Sequence, residues 1–220
     1  MERETIRHVA VIHGLGRGAG SMRLLAERLR RAGFDPVLPD YPSTRVTVSE
    51  AEADVCAQIR EAVPPDTPLH LVGHSLGGVL ALRLKVGPLR DRAARVVQLG
   101  PPNRGSPLAA IASDLPLVGE VMGPATEAIG EGALGPLTLP PPSRADLGIV
   151  AGRAGWLPVT RQFGLTTEND GKVTVESALG VPHGAAIILD VAHAMMPLSA
   201  STARQTLAFL NTGRFDRTQP

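Results

Sequence analysis

A single cysteine, Cys56, in 220 residues excludes an intrachain disulfide and any cysteine-based metal site within one chain. Lysine is nearly as scarce: Lys85 and Lys172 are the only two, so arginine carries almost all of the positive charge. The 22 basic and 21 acidic residues are interspersed and leave a formal net charge of +1. That balance provides neither a basic face for nucleic acid nor an acidic tail. No apolar run reaches the ~18 residues of a membrane span, and the charged start, Met1-Glu2-Arg3-Glu4, carries no apolar signal segment. A cytoplasmic location is the expectation, with a secreted mature chain as the alternative. No nucleic-acid partner, stable membrane anchor, cofactor or metal is expected.

What is present is a repeat of short apolar runs and helix-period segments, in a length suited to one domain over 1–220. The runs are Val9 to Ile12, Pro36 to Leu38, Leu69 to Val72, Val96 to Leu99, Leu147 to Val150 and Ala186 to Leu189. Continuous runs of this kind suit strands buried on both faces of a parallel sheet. Between them, helices have readable ends. The first has Ser21 as N-cap and Gly33 as stop; the second opens on a capping box from Ser49 to Glu52 and ends at Pro64-Pro65. Cys56 lies within this second helix and reads as a small buried hydrophobe. The third helix ends at Gly87-Pro88, and the last carries Ala203, Leu207 and Leu210 before stopping at Gly213. Strand and helix in alternation imply an α/β fold: a doubly wound, mostly parallel sheet of about six strands, with ligands at the carboxyl ends of the strands. Residues 103–145 break the rhythm and read as an inserted helical flap.

The run at Leu69 leads into Gly73-His74-Ser75-Leu76-Gly77, with a helical pattern directly after it. Gly-x-Ser-x-Gly alone is a weak signal in a chain with 24 glycines. Between strand and helix it is a nucleophile elbow, a strained turn that presents a serine hydroxyl to solvent. A serine nucleophile needs a base, and the base needs an acid to hold its tautomer. His8, His70 and His183 fall at the start of a strand, inside one, and ahead of one; His74 sits in the elbow and is expected to point away from the cleft. His193 follows the last strand and emerges at the same sheet edge as Ser75, which makes it the candidate base. Asp170, in the turn Asn169-Asp170-Gly171, is the favoured acid, with Asp190, Asp146 and Glu168 as alternatives.

An oxyanion formed at Ser75 needs backbone donors, each worth roughly 3 to 4 kcal/mol. Leu76 N–H, next to the nucleophile, is one; Leu15 N–H, in the loop His13-Gly14-Leu15-Gly16 after the first strand, is the other. The same loop read as a dinucleotide-binding fingerprint lacks the G-x-G-x-x-G register, and Asp40 reads more simply as a turn residue. His13 and the apolar residues Leu115, Val121, Met122 and Met195 are candidates for the substrate pocket, aliphatic rather than aromatic in character.

Taken in order, the His13 loop, the elbow, Gly100-Pro101-Pro102-Asn103-Arg104-Gly105-Ser106, the Asp170-Gly171 turn and His193 resemble the α/β-hydrolases over nearly the whole chain. The closest likeness is to the small bacterial lipases and esterases. The resemblance implies a carboxylic ester hydrolase acting on a small acyl ester or lipid, with Ser75 as nucleophile, His193 as base, Asp170 as acid, and Leu15 and Leu76 as oxyanion donors. Acyl transfer to an alcohol, or thioester hydrolysis, would use the same serine; a non-catalytic binding module is the alternative of a different class. Larger lipases of this type often carry a disulfide or a calcium site and a substantial lid, whereas this chain has one cysteine and a short flap.

Overall fold

The computed structural model describes residues 6–106, 123–125, 129, 141–155 and 165–218. Its single sheet contains β1 (His8–Ile12), β2 (Asp35–Val37), β3 (Leu69–His74), β4 (Ala93–Leu99), β5 (Leu147–Gly152) and β6 (Ala185–Leu189), in the order β2-β1-β3-β4-β5-β6. Every pairing is parallel. The order turns back at β1, which pairs β2 on one side and β3 on the other, so the loops after β1 and β3 flank a topological switch point.

Both faces of the sheet are covered, which is why its strands read as unbroken apolar runs. On one face Val9, Val11, Val72 and Val97 pack with Met22, Leu25 and Leu29, at the start of and along α1 (Arg23–Arg31), and with Phe209 and Leu210 of α6 (Ala200–Thr212). On the other, Ala10, Ile12, Leu69 and Leu71 pack with Val55 and Ile59 of α2 (Val48–Ala62) and Leu80 and Leu84 of α3 (Leu76–Val86). Alternation along β1 therefore sends successive side chains to opposite layers. α3 is buried on nearly every side, including Lys85, whose ammonium donates to the carbonyls of Ala93 and Ala94 and lies 3.3 Å from Asp146. Those partners offset the cost of enclosing a charge. Two short helices, α4 (Pro141–Arg144) and α5 (Val175–Ala178), precede β5 and β6.

Two helix starts differ from the sequence expectation. Ser21 does not cap α1; a 3-10 turn over Ala19–Met22 comes first, and Ser21 Oγ donates to Gly18 O at 2.7 Å. The capping box of α2 is Thr47 with Glu50 rather than Ser49 with Glu52. Thr47 has extended dihedrals, its hydroxyl accepts from Glu50 N–H, and the Glu50 carboxylate accepts from Thr47 N–H at 2.8 Å. Both pairs fit the same four-residue pattern two positions apart, and Glu52 is drawn instead to Arg83 of α3, 2.5 Å away. Among the described residues no helix is long and apolar enough to cross a membrane. Of the segment 103–145, only 103–106, 123–125, 129 and 141–145 are described. Asn103 is anchored to Gln98 and to Ala178 O, and Ser106 to Lys172 O.

Candidate active site

β3 runs straight into α3 through Ser75, which has φ 55° and ψ −122°. A non-glycine residue at positive φ costs of order 1–3 kcal/mol and persists only where its surroundings impose it. Here Ser75 N–H donates to Leu99 O at 2.9 Å, and Gly78 N–H returns to Ser75 O at 2.9 Å. The flanking glycines allow the turn to close. A Cβ on Gly73 would overlap the Gly77 carbonyl, and a Cβ on Gly77 would overlap the carbonyls of Ile12 and His13 at the end of β1.

Across the same sheet edge, the loop after β6 carries His193, which is buried. Its Nδ1 is 2.7 Å from Asp170 Oδ2. Asp170 Oδ1 accepts from the N–H groups of Lys172 and Val173 at 2.9 and 2.8 Å, and His193 N–H donates to Asp170 O at 2.8 Å. The turn that suits Asn169-Asp170-Gly171 thus orients a carboxylate through three accepted hydrogen bonds. A carboxylate on Nδ1 keeps the ring proton there and leaves Nε2 of the neutral imidazole as an acceptor. Ser75 Oγ has no hydrogen-bond partner among the described residues. Of the alternative acids, Asp190 pairs with Arg153, Asp146 with Lys85, and Glu168 is exposed; none touches His193.

Leu76 N–H is the first of α3, where no intrahelical acceptor exists, and Leu15 N–H also lacks an acceptor among the described residues. The Cβ position of Gly14, just before Leu15, lies 3.0 Å from Ser75 Cβ, so this loop borders the serine. His13 is not available to a ligand as the sequence suggested. Its ring is fully enclosed, stacked on Tyr41 at 4.3 Å, with Nδ1 donating to Gly14 O and Nε2 accepting from Tyr41 N–H. Asp40 Oδ1 is 3.2 Å from the same Nε2, an ion pair only if the ring were charged; burial lowers its pKa and keeps it neutral. His13 therefore fixes the loop from beneath. Met195 is exposed at the rim, two residues past His193. Leu115, Val121 and Met122 lie outside the described residues.

One participant escaped the sequence reading. His74, expected to point away from the cleft, is buried, and there its ring lies 4.7 Å from that of His193 and its Nε2 donates to His193 O at 2.9 Å. Burial, then the adjacent His193, hold its pKa well below the usual histidine value. Only its adjacency to Ser75 hinted at this. Among the described residues no group of three or more His, Cys, Asp or Glu side chains could hold a metal ion.

Among curated proteins none matches the sequence. Solved structures do match in fold. A lipase of Bacillus licheniformis in its mature form superposes with a TM-score of 0.73 at 19% identity, over 94% of this chain and 92% of that one. A metagenomic carboxyl esterase gives 0.67 at 22% identity, over 87% and 65%, and a methylesterase from Arabidopsis gives 0.54 at 16%, over 86% and 92%. The model of the alpha/beta hydrolase family matches residues 9–212, from the first strand to the end of the last helix, and the chain belongs to that family.

Proposed function

We propose that the protein is a serine hydrolase that cleaves carboxylic esters through an acyl-enzyme on Ser75. The observation that carries this reading is the hydrogen-bonded pair His193 and Asp170 at the sheet edge where Ser75 is held at positive φ. In the first half-reaction Ser75 Oγ attacks the ester carbonyl and gives its proton to His193 Nε2, while Asp170 stabilises the imidazolium through Nδ1. The oxyanion receives Leu76 N–H and Leu15 N–H. Collapse expels the alcohol, which takes the proton from His193. Water, activated by the same base, then attacks the acyl carbonyl and releases the acid. The hydrogen bond from Ser75 Oγ to His193 belongs to the substrate-bound state, since such bonds are often long in a free enzyme.

The acyl chain is of short to medium aliphatic type and lies toward Met195. The Bacillus lipase, the carboxyl esterase and the methylesterase share the fold, which is compatible with this reading. The test is turnover of p-nitrophenyl butyrate and labelling by a fluorophosphonate, each compared between wild type and Ser75→Ala. Turnover and labelling should both vanish in the variant; unchanged turnover would sink the assignment.

A further inference from the structure

At the β1 and β2 end of the sheet lies a cleft of about 520 Å³ to which the chemistry above assigns nothing. Its walls are the loops after β1, with Gly16 and Arg17, and after β2, with Tyr41, Ser43, Thr44 and Arg45. The two loops are tied together: Tyr41 Oη donates to His13 O at 2.9 Å, and Ser43 Oγ accepts from Gly16 N–H at 3.1 Å. On this fixed frame Arg17 and Arg45 are exposed, and neither makes an ion pair or a side-chain hydrogen bond among the described residues. Arg83, Arg104 and Arg153, by contrast, each face a carboxylate. The one acid among the described residues of the cleft wall, Asp40, accepts from Ala19 N–H at 2.8 Å through Oδ1 and faces the neutral His13 rather than a cation, so Arg17, Arg45 and Asp40 leave the cleft with a formal charge of +1. Two cations thus share a walled cleft with one carboxylate, and neither is ion-paired among the described residues.

Its position relative to Ser75 gives the cleft a use. In the sheet order, β1 and β2 lie on one side of β3, and β6, with the loop of His193 and Met195, lies on the other. The loop that borders Ser75 at Gly14 reaches Arg17 three residues later, and the charge of Arg17 also bears on the buried His74. The sheet order would let an ester whose carbonyl oxygen meets Leu15 N–H and Leu76 N–H extend one arm toward the β6 side, with Met195, and the other toward the β1 and β2 side, with the cleft.

We propose that the cleft binds an anionic group, a carboxylate or a phosphate, carried on one arm of the ester substrate and held by Arg17 and Arg45. This rests on the ester-hydrolase reading. The anion takes no part in bond making: water adds across the acyl C–O bond, acid and alcohol leave, and the anionic group departs on whichever product carries it.

The experiment compares kcat/KM for monoethyl succinate against ethyl pentanoate, which tests an acyl-side carboxylate, and for 2-(butyryloxy)ethyl phosphate against pentyl butyrate, which tests an alcohol-side phosphate. Wild type should favour at least one anionic ester by about tenfold or more. That ratio should approach one in Arg17→Ala/Arg45→Ala, and about 0.5 M NaCl should compress it. A wild-type ratio of one or less for both pairs, or a preference that survives in the double variant, overturns the proposal. Calorimetric binding of the same four compounds to Ser75→Ala separates this outcome from failure of the ester-hydrolase reading. Anion-selective binding without turnover by wild type supports the cleft and removes the hydrolase assignment; turnover without anion selectivity in rate or binding overturns the cleft alone.

Discussion

His74 Nε2 donates to the backbone carbonyl of His193 at 2.9 Å, so the residue preceding the candidate nucleophile supports the loop that bears the candidate base. The bond is buried, and its loss leaves an unpaired carbonyl worth about 1–3 kcal/mol. His74→Leu should therefore lower stability by that amount and reduce kcat more than it raises KM, since the loop that aims His193 loosens while the mouth of the site is untouched. His74→Gln, whose amide can donate in place of Nε2, should recover much of both losses. Denaturant unfolding and steady-state kinetics on the two variants check this; a Leu variant as stable and active as wild type contradicts it.

Asp170 has three hydrogen bonds to its side chain, and Asp190, the acid nearest His193 in sequence, has none to that ring. Asp170→Asn keeps an acceptor for the turn N–H groups but no longer stabilises an imidazolium or dictates its tautomer. Its kcat should fall about 10⁴-fold with the fold intact. Asp190→Asn removes only an exposed pair with Arg153 and should stay within about twofold of wild type. Equal losses in the two variants would move the acid away from Asp170.

Three buried histidines make stability sensitive to mild acid. His70 is pushed down to about 4 by burial and then by the charge of Arg95, His74 is held well below the usual range by burial, and burial also lowers His13. In the unfolded chain each titrates near ~6.5. Above that value both states are neutral and stability is flat. As pH falls below it, the unfolded state gains protons that the folded state refuses, so stability drops, approaching ~1.4 kcal/mol per pH unit for each group. The window closes for His70 as pH passes about 4. Urea unfolding at several pH values from neutrality down to mild acid should show this decline, and His70→Gln should remove about a third of its slope. A flat or rising profile would mean that these rings are not held neutral.

The parts of the fold that were legible in sequence share a physical cause. β1, β3 and β5 are enclosed on both faces, so Val9 to Ile12 or Leu147 to Val150 announce themselves as unbroken apolar runs. Ser75, Asp170 and His193 could be put forward as candidates because strand ends lie at one sheet edge and chain order sorts histidines and acids by edge; the structure pairs Asp170 with His193 and holds Ser75 at positive φ. What escaped depends on contacts between distant segments. His74 and His193 are 119 residues apart and meet only through the sheet. Arg17 and Arg45 become neighbours only because the loops after β1 and β2 lie side by side, and His13 was misjudged because its stacking partner, Tyr41, comes from the second of those loops.

The start of α2 poses a local version of that problem and can be tested cleanly. Thr47-Val48-Ser49-Glu50 and Ser49-Glu50-Ala51-Glu52 both fit a capping box, and sequence alone does not choose between them. In the structure Thr47 satisfies the N–H of Glu50, and Glu50 in return satisfies that of Thr47. Thr47→Ala should then cost about 1 kcal/mol, seen as a fall in Tm of about 2–4 °C for a domain of this size. Ser49 lies inside the helix and is exposed, where alanine is the better helix former by a few tenths of a kcal/mol; Ser49→Ala should leave Tm unchanged or raise it slightly. Because Thr47 follows Arg45 by two residues, a frayed cap also frees the chain that carries one wall of the anion cleft. Thr47→Ala should therefore lower the preference for anionic over neutral esters, while Ser49→Ala should not. A larger loss of Tm in Ser49→Ala than in Thr47→Ala would return the cap to Ser49.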